Sequence, residues 1–186
     1  MSKPLSVLVA HAIAVVACLA AMAPGARADN GNGTVEISFS ATSTLHDFEG
    51  SVPALAFAVE SGPSDAWGGD VEVPVAAIDT GIDQRDKNLR AWLDAAQYPR
   101  IRGRFRDVDP ERAHASGVLP FLLRIRDVER PAVATVSHWQ QQDRTARFDA
   151  EFDVLLHDYS LEAPSLLFVH VGDRVHVTVH VTLERT

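Results

Sequence analysis

One cysteine, two methionines and an aromatic content of 7% leave this 186-residue chain short of several kinds of chemistry. A lone Cys18 cannot pair within the chain, so a disulfide scaffold is excluded. No second long apolar run follows the N-terminus, which excludes a polytopic membrane protein. Basic residues are outnumbered, with 17 Lys+Arg against 25 Asp+Glu and a net charge of −8. That balance lacks the basic footprint of generic nucleic-acid binding. The G-x-S-x-G elbow, the H-E-x-x-H helix, the phosphate loop and the dinucleotide fingerprint are all missing, so no common enzyme signature is present. What remains is 46% apolar and 23% charged, the make-up of a globular domain.

The first segment reads as an address. Lys3 supplies a small positive start and an Ala/Val/Leu-rich stretch runs to Ala21. Pro24-Gly25 breaks it, and Ala26-Arg27-Ala28 has the small-x-small form that a signal peptidase reads. The expectation is a signal peptide over 1–28, a cut before Asp29, a domain over 29–186, and a periplasmic or secreted protein. Removal of Lys3 and Arg27 without any acid makes the mature chain two charges more negative, and it carries no cysteine. Such a chain suits an oxidising compartment without relying on disulfides. Thiol chemistry and iron–sulfur ligation go with the cysteine. Two other readings are weighed against the cut: a lipid on Cys18, disfavoured by the apolar Leu19 to Ala23 that follows, and an uncleaved anchor, interrupted by His11.

Beyond the leader, period-two alternation dominates. Val35, Ile37, Phe39 and Ala41 alternate with polar residues; so do Leu55, Phe57 and Val59; Val71, Val73 and Val75; and Ile101, Gly103 and Phe105. A fifth strand is expected from about His114 to Arg126 and a sixth from Ala132 to Gln140. In the seventh, Ala146, Phe148, Ala150, Phe152, Val154 and Leu156 share a face, and the last sets Val175 to Leu183 against His176, Thr178, His180 and Thr182. Asp107 to Arg112 reads as a loop, and Gly172-Asp173 as a turn into the last strand. One segment, Asp83 to Gln97, places Leu89, Trp92, Leu93 and Ala96 on a helical face, with Asp83 as N-cap and Pro99 as stop. The fold class is therefore all-β, eight antiparallel strands with one α-helix between strands 3 and 4. A closed barrel is favoured over a sandwich because closure removes exposed edges. A barrel of this size is either filled or holds one small ligand. Gly103, Ala146 and Ala150 on the apolar faces suggest room inside.

Four pieces then resemble the YceI-like family: Ser43-Thr44-Leu45-His46-Asp47-Phe48-Glu49-Gly50; Arg85 to Arg90 with Tyr98-Pro99-Arg100-Ile101; Ser116-Gly117-Val118-Leu119 with Arg130-Pro131 and Val133; and Asp158-Tyr159 before Val171-Gly172-Asp173 and Val175. The resemblance implies a lipocalin-like barrel with a helix capping one end, and an exported carrier of an isoprenoid or similar apolar molecule in its lumen. No other cofactor is implied than such an isoprenoid or quinone-like lipid.

Phe39, Phe57, Trp92, Phe105, Phe148 and Phe152 are candidate lumen residues, because a lipid and a core need the same apolar surface. His46 and His157, in the near-repeat Leu45-His46-Asp47-Phe48 and Leu156-His157-Asp158-Tyr159, are candidates to orient a headgroup. Adjacent strand residues point to opposite faces, so neither His-Asp pair chelates alone. His176 and His180 on one strand are about 13 Å apart, too far to share an ion. No set is assigned to catalysis or to a metal. Arg102, Arg104 and Arg124 form a basic strand face, the basis of an alternative in which a filled barrel docks an envelope protein or an anionic membrane. Secretion of the full chain is expected to yield a mature N-terminus at Asp29, which N-terminal sequencing of the exported protein checks.

Overall fold

The computed structural model describes residues 31–43, 47–62, 66–163, 165–166 and 169–184. The expected leader and its expected cleavage site lie outside these residues. The elements run β1 (Gly31–Ser43), β2 (Phe48–Ser61), β3 (Trp67–Pro74), a 3-10 turn (Val75–Ala77), α1 (Asp83–Trp92), β4 (Arg100–Val108), α2 (Pro110–Ser116), β5 (Val118–Ile125), β6 (Val128–Gln142), β7 (Thr145–Leu155), a second 3-10 turn (Leu156–Tyr159), β8 (Ser165–Leu166) and β9 (Val169–Glu184). Strands β1 to β7 each pair antiparallel with the next, and β9 pairs with both β7 and β1, which closes an eight-stranded barrel. The two-residue β8 only flanks the start of β9.

Closure follows from the alternation. The apolar face of every strand turns inward, where it forms two packed layers. One lies at the α2 end, around Val35, Val59, Trp67, Phe148, Val181 and Leu183. The other lies at the α1 end, around Val52, Val75, Ile78, Leu93, Leu123 and Leu156. Ile37, Leu55, Val71, Phe121 and Phe152 pack against both layers and join them.

Several boundaries differ from the sequence reading, each for a local reason. The fifth strand does not start at His114: Asp109 caps a short helix by accepting from the Arg112 N–H at 3.1 Å, Pro110 opens it, and Gly117 ends it at φ +64°. So a second helix stands between β4 and β5. Helix α1 stops at Trp92 rather than running to Gln97, because Asp94 turns to φ +52° and the chain closes back on itself through Ala95 N–H to Arg90 O and Tyr98 N–H to Asp94 O. Asp83 is its first residue and Ile82 its N-cap. Gly172 and Asp173 lie inside β9 instead of in a turn before it, and Leu156 belongs to a 3-10 turn rather than to β7.

Three inward phenylalanines sit opposite glycines on neighbouring strands: Phe57 with Gly33, Phe39 with Gly50, and Phe105 with Gly69. A Cβ on Gly69 would stand 2.7 Å from the Phe105 ring, and Cβ atoms on Gly33 and Gly50 would overlap the Phe57 and Phe39 rings. Each ring therefore rests on a bare Cα of the next strand. Gly50→Val is expected to push the Phe39 ring off this seat and cost about 1–3 kcal/mol, seen as a lower denaturation midpoint with an unchanged m-value.

Candidate ligand-binding lumen

The inward faces enclose a cavity of about 280 Å³ whose lining residues are all apolar. Its volume falls at the lower end of the ~300–1,000 Å³ typical of small-ligand pockets. Phe39, Phe57, Phe105, Phe148 and Phe152 line it. Phe57 meets Phe105 edge-on, with centroids 6.0 Å apart, and Phe121 meets Phe152 in the same way at 4.9 Å. Gly103 lines it too. A Cβ there would have only the Phe121 ring within 4.0 Å, so this glycine leaves open space rather than seating a neighbour.

Four aromatic residues of the lining escaped the sequence reading. Phe48 and Trp67 are the first residues of β2 and β3, where no alternation precedes them to mark an inward face. Phe121 follows Pro120, which hid the alternation of β5. Trp139 faces inward only because the ladder shifts register between Ser137 and Gln140, with His138 at φ +52°. It stacks on Phe148 at 4.8 Å, and His114 of α2 stacks on its other side at 5.1 Å.

Each end is covered. At one end Leu89 and Leu93 of α1 line the cavity, and Asp86, 6% exposed, fastens the helix. Its carboxylate accepts from Thr80 N–H at 2.9 Å and from Thr80 Oγ1 at 2.5 Å. These bonds outweigh burial and hold it below the ordinary value of 3.8. Arg85 donates to Thr80 O at 2.6 Å and lies 5.7 Å over the Phe48 ring. Arg126, in the turn between β5 and β6, donates to the Trp92 and Leu93 carbonyls at the helix C-terminus. At the other end Ala113 of α2 is buried in the lining.

Trp92 is not part of the lining: it is half-buried on the rim, where its indole donates to Glu162 O at 3.0 Å. His157 also lies outside the cavity, on the exposed 3-10 turn. That turn brings it within 3.3 Å of Asp158, which a strand would have forbidden. Asp173 of β9 accepts from both its backbone N–H, at 3.0 Å, and its Nδ1. His46 lies outside the described residues, so its meeting with His157 has no geometry here. His176 and His180 bind Asp153 and Asp149 respectively, on the outer face.

The arginine face is largely paired. Glu72 holds Arg100 and Arg102, and Asp70 holds Arg104 at 3.1 Å and Arg106 at 2.5 Å. Hydrogen bonds from Arg102 and Arg100 keep Glu72 below its usual range. At Asp70 burial opposes ionisation, but Arg106 and Arg104 prevail and lower it. Arg124 is exposed and donates to Arg126 O at 3.2 Å.

A closed up-and-down barrel with an apolar lumen and a helix across its end defines the lipocalin-like barrel architecture. The YceI-like domain profile matches residues 27–183, and the chain belongs to that family. Comparison with the curated proteins finds no match. Among solved structures, BcnA of Burkholderia cenocepacia superposes with a TM-score of 0.65 at 17% identity, over 80% of this chain and 95% of that one. A polyisoprenoid binding domain from Saccharophagus degradans, implicated in plant cell wall breakdown, gives 0.64 at 15% identity over 86% and 99%. The Campylobacter jejuni YceI protein gives 0.57 at 14% identity over 77% and 88%. At these identities the likeness establishes the fold.

The His157–Asp173 clasp sets a pH window. The hydrogen bond that His157 donates to Asp173, then the charge of that carboxylate, raises the His157 pKa above 6.5, while His157 lowers Asp173. The stabilisation from the raised imidazole is full below 6.5 and is lost as pH rises through its folded value. Amides of the 156–161 segment are expected to lose protection over that rise beyond the intrinsic pH effect. His157→Ala removes this extra step in hydrogen exchange.

Proposed function

We propose that the protein is an exported carrier that holds one apolar isoprenoid or quinone-like chain in its lumen. The observation that carries this reading is the wholly apolar lining around space that Gly103 leaves open. Burial of a hydrocarbon chain yields about 0.8 kcal/mol per methylene, so such a tunnel needs few polar contacts to hold its ligand. The name of the Saccharophagus degradans relative supports the ligand class. Binding is favoured over catalysis because no nucleophile, acid or base lies among the described lining residues. A headgroup finds no partner within the lumen and stays at its surface, where His46 and His157 are candidates to meet it. The periplasm is the compartment that the leader and the cysteine-free mature chain favour.

The filled-barrel alternative is less well supported. The lining leaves space that a filled barrel would lack.

Lipid extraction and native mass spectrometry of protein purified without detergent from its own envelope test the reading. A stoichiometric prenyl or quinone mass is expected. Gly103→Trp is expected to fold, by far-UV circular dichroism, and to lose that mass, with Gly103→Leu intermediate. A wild-type protein that neither carries nor takes up a prenyl chain overturns the proposal.

A further inference from the structure

The ladders that close the barrel differ in length, and one is left open. Strands β2 and β3 pair only from Val59↔Gly69 to Ser61↔Trp67, but the segment after β3 returns to bridge the gap through paired bonds between Ser51 and Asp79. Strands β6 and β7 pair only from Thr135 onward, and Arg130 ties the gap to the second 3-10 turn through Asp158 O. Strands β4 and β5 pair at Arg102↔Arg124, Gly103↔Leu123 and Arg104↔Leu122. Continued, that register would set Val108 opposite Val118. Among the described residues no ladder pair joins Phe105–Val108 to Val118–Phe121.

Two residues open this slot. Asp107 sits at φ +52°, in the irregular stretch where three residues of β4 span two of β3. The other is Pro120. Hydrogen-bonded and non-hydrogen-bonded pairs alternate along an antiparallel ladder, and Ile125↔Val128 closes the two-residue turn between β5 and β6. Counting back makes Pro120↔Val133 a non-bonded pair, so the Pro120 nitrogen faces β4 with no hydrogen to donate.

The slot has unlike lips. Inside, Phe105, Val108, Leu119 and Phe121 belong to the lumen lining. Outside, Val118, Pro120 and Leu122 of β5 stand across from Thr135, Val133 and Pro131 of β6, and the five apolar residues among them form a strip. Val118 is 44% exposed and Val133 is 59% exposed, on a barrel whose outer face is elsewhere mostly polar. The β4 lip and its flank carry Arg100, Arg102, Arg104, Arg106 and Arg124, against Asp70, Glu72, Asp107 and Glu129. This region is net positive on a chain of net charge −8.

We propose that the β4–β5 slot is the route by which the lumen's isoprenoid chain enters and leaves, and that the apolar strip with its arginine flank seats this side of the barrel on an anionic bilayer. The inference rests on the lumen reading above. A bilayer is the occupant that the chemistry favours. The strip is aliphatic and lacks the tryptophan and tyrosine anchors that dominate protein interfaces. Its positive flank complements anionic headgroups. Such a cargo resides in the bilayer, so the slot lets its chain pass from lipid to lumen without crossing water.

Flotation with vesicles of phosphatidylcholine alone or with 30% phosphatidylglycerol (roughly the charge density of an anionic leaflet), each carrying a fluorescent prenyl probe, tests this. The protein is expected to float with the anionic vesicles, less so as salt rises, and not with the neutral ones. Val118→Asp with Val133→Asp, both at exposed sites, is expected to abolish flotation and slow probe uptake from vesicles at least tenfold. Uptake by that variant from detergent micelles should stay unchanged. A bismaleimide link between Arg106→Cys and Pro120→Cys is expected to slow probe exchange at least tenfold relative to the same double variant left unlinked. Undiminished flotation of the double aspartate variant overturns the membrane face. So does equal flotation on neutral vesicles, or photo-crosslinking from position 133 to an envelope protein without flotation. Unchanged exchange in the linked protein overturns the slot. Uptake from micelles without flotation overturns this proposal and leaves the lumen reading standing. No uptake from either source by wild type overturns the lumen reading itself.

Discussion

Phenylalanine rings laid on glycine Cα atoms keep space inside this barrel. An eight-stranded barrel is narrow enough for ordinary side chains to fill it. Here Phe39, Phe57 and Phe105 each lean across to a bare position on the adjacent strand, so their bulk lines the wall. The fourth glycine, Gly103, has no ring on it and adds open volume beside the same strands. Lumen and wall thus depend on one pairing rule, large on one strand against nothing on the next. The covers at either end close over the result.

Those covers are fastened by polar groups that the lumen itself does not contain. Asp86 and Thr80 hold the start of α1, Arg126 holds its end, and the His157–Asp173 clasp holds the second 3-10 turn against β9. All of them lie outside the lining. The interior can therefore be all hydrocarbon while the parts that close it respond to charge and pH.

Much of this was legible in the sequence, because a strand's two faces are written in alternate residues. The inward set of β1, β4, β7 and β9, apart from the buried Ala41 and Ala146, and five of the six aromatic candidates line the cavity. The failures occur where backbone geometry overrides the pattern. The irregularity at His138 brings Trp139 inward, and Trp92, the last residue of α1, turns its indole to Glu162 O on the rim while its neighbours Leu89 and Leu93 take the lining. Helix α2 left start and stop signals in Asp109, Pro110 and Gly117, but with one buried residue, Ala113, it had no periodicity to see. The pairing of the arginine face was half visible, since Asp70 and Glu72 alternate on β3 just as the arginines do on β4. The register that joins them is set by closure of the whole sheet.

The all-apolar lining also bears on folding. A hydrocarbon-lined cavity left unfilled weakens a protein by about 24 cal/mol per Å³. For the roughly 280 Å³ here that is on the order of 7 kcal/mol, comparable to the whole stability of a typical domain. Under the proposed carrier reading, the cargo would be a missing piece of the hydrophobic core, supplied from outside the chain. A barrel maturing in the presence of suitable lipid would gain a driving force that one maturing without it lacks. A lining that reads only girth and length would leave the lipid composition of the compartment to select among chains that fit.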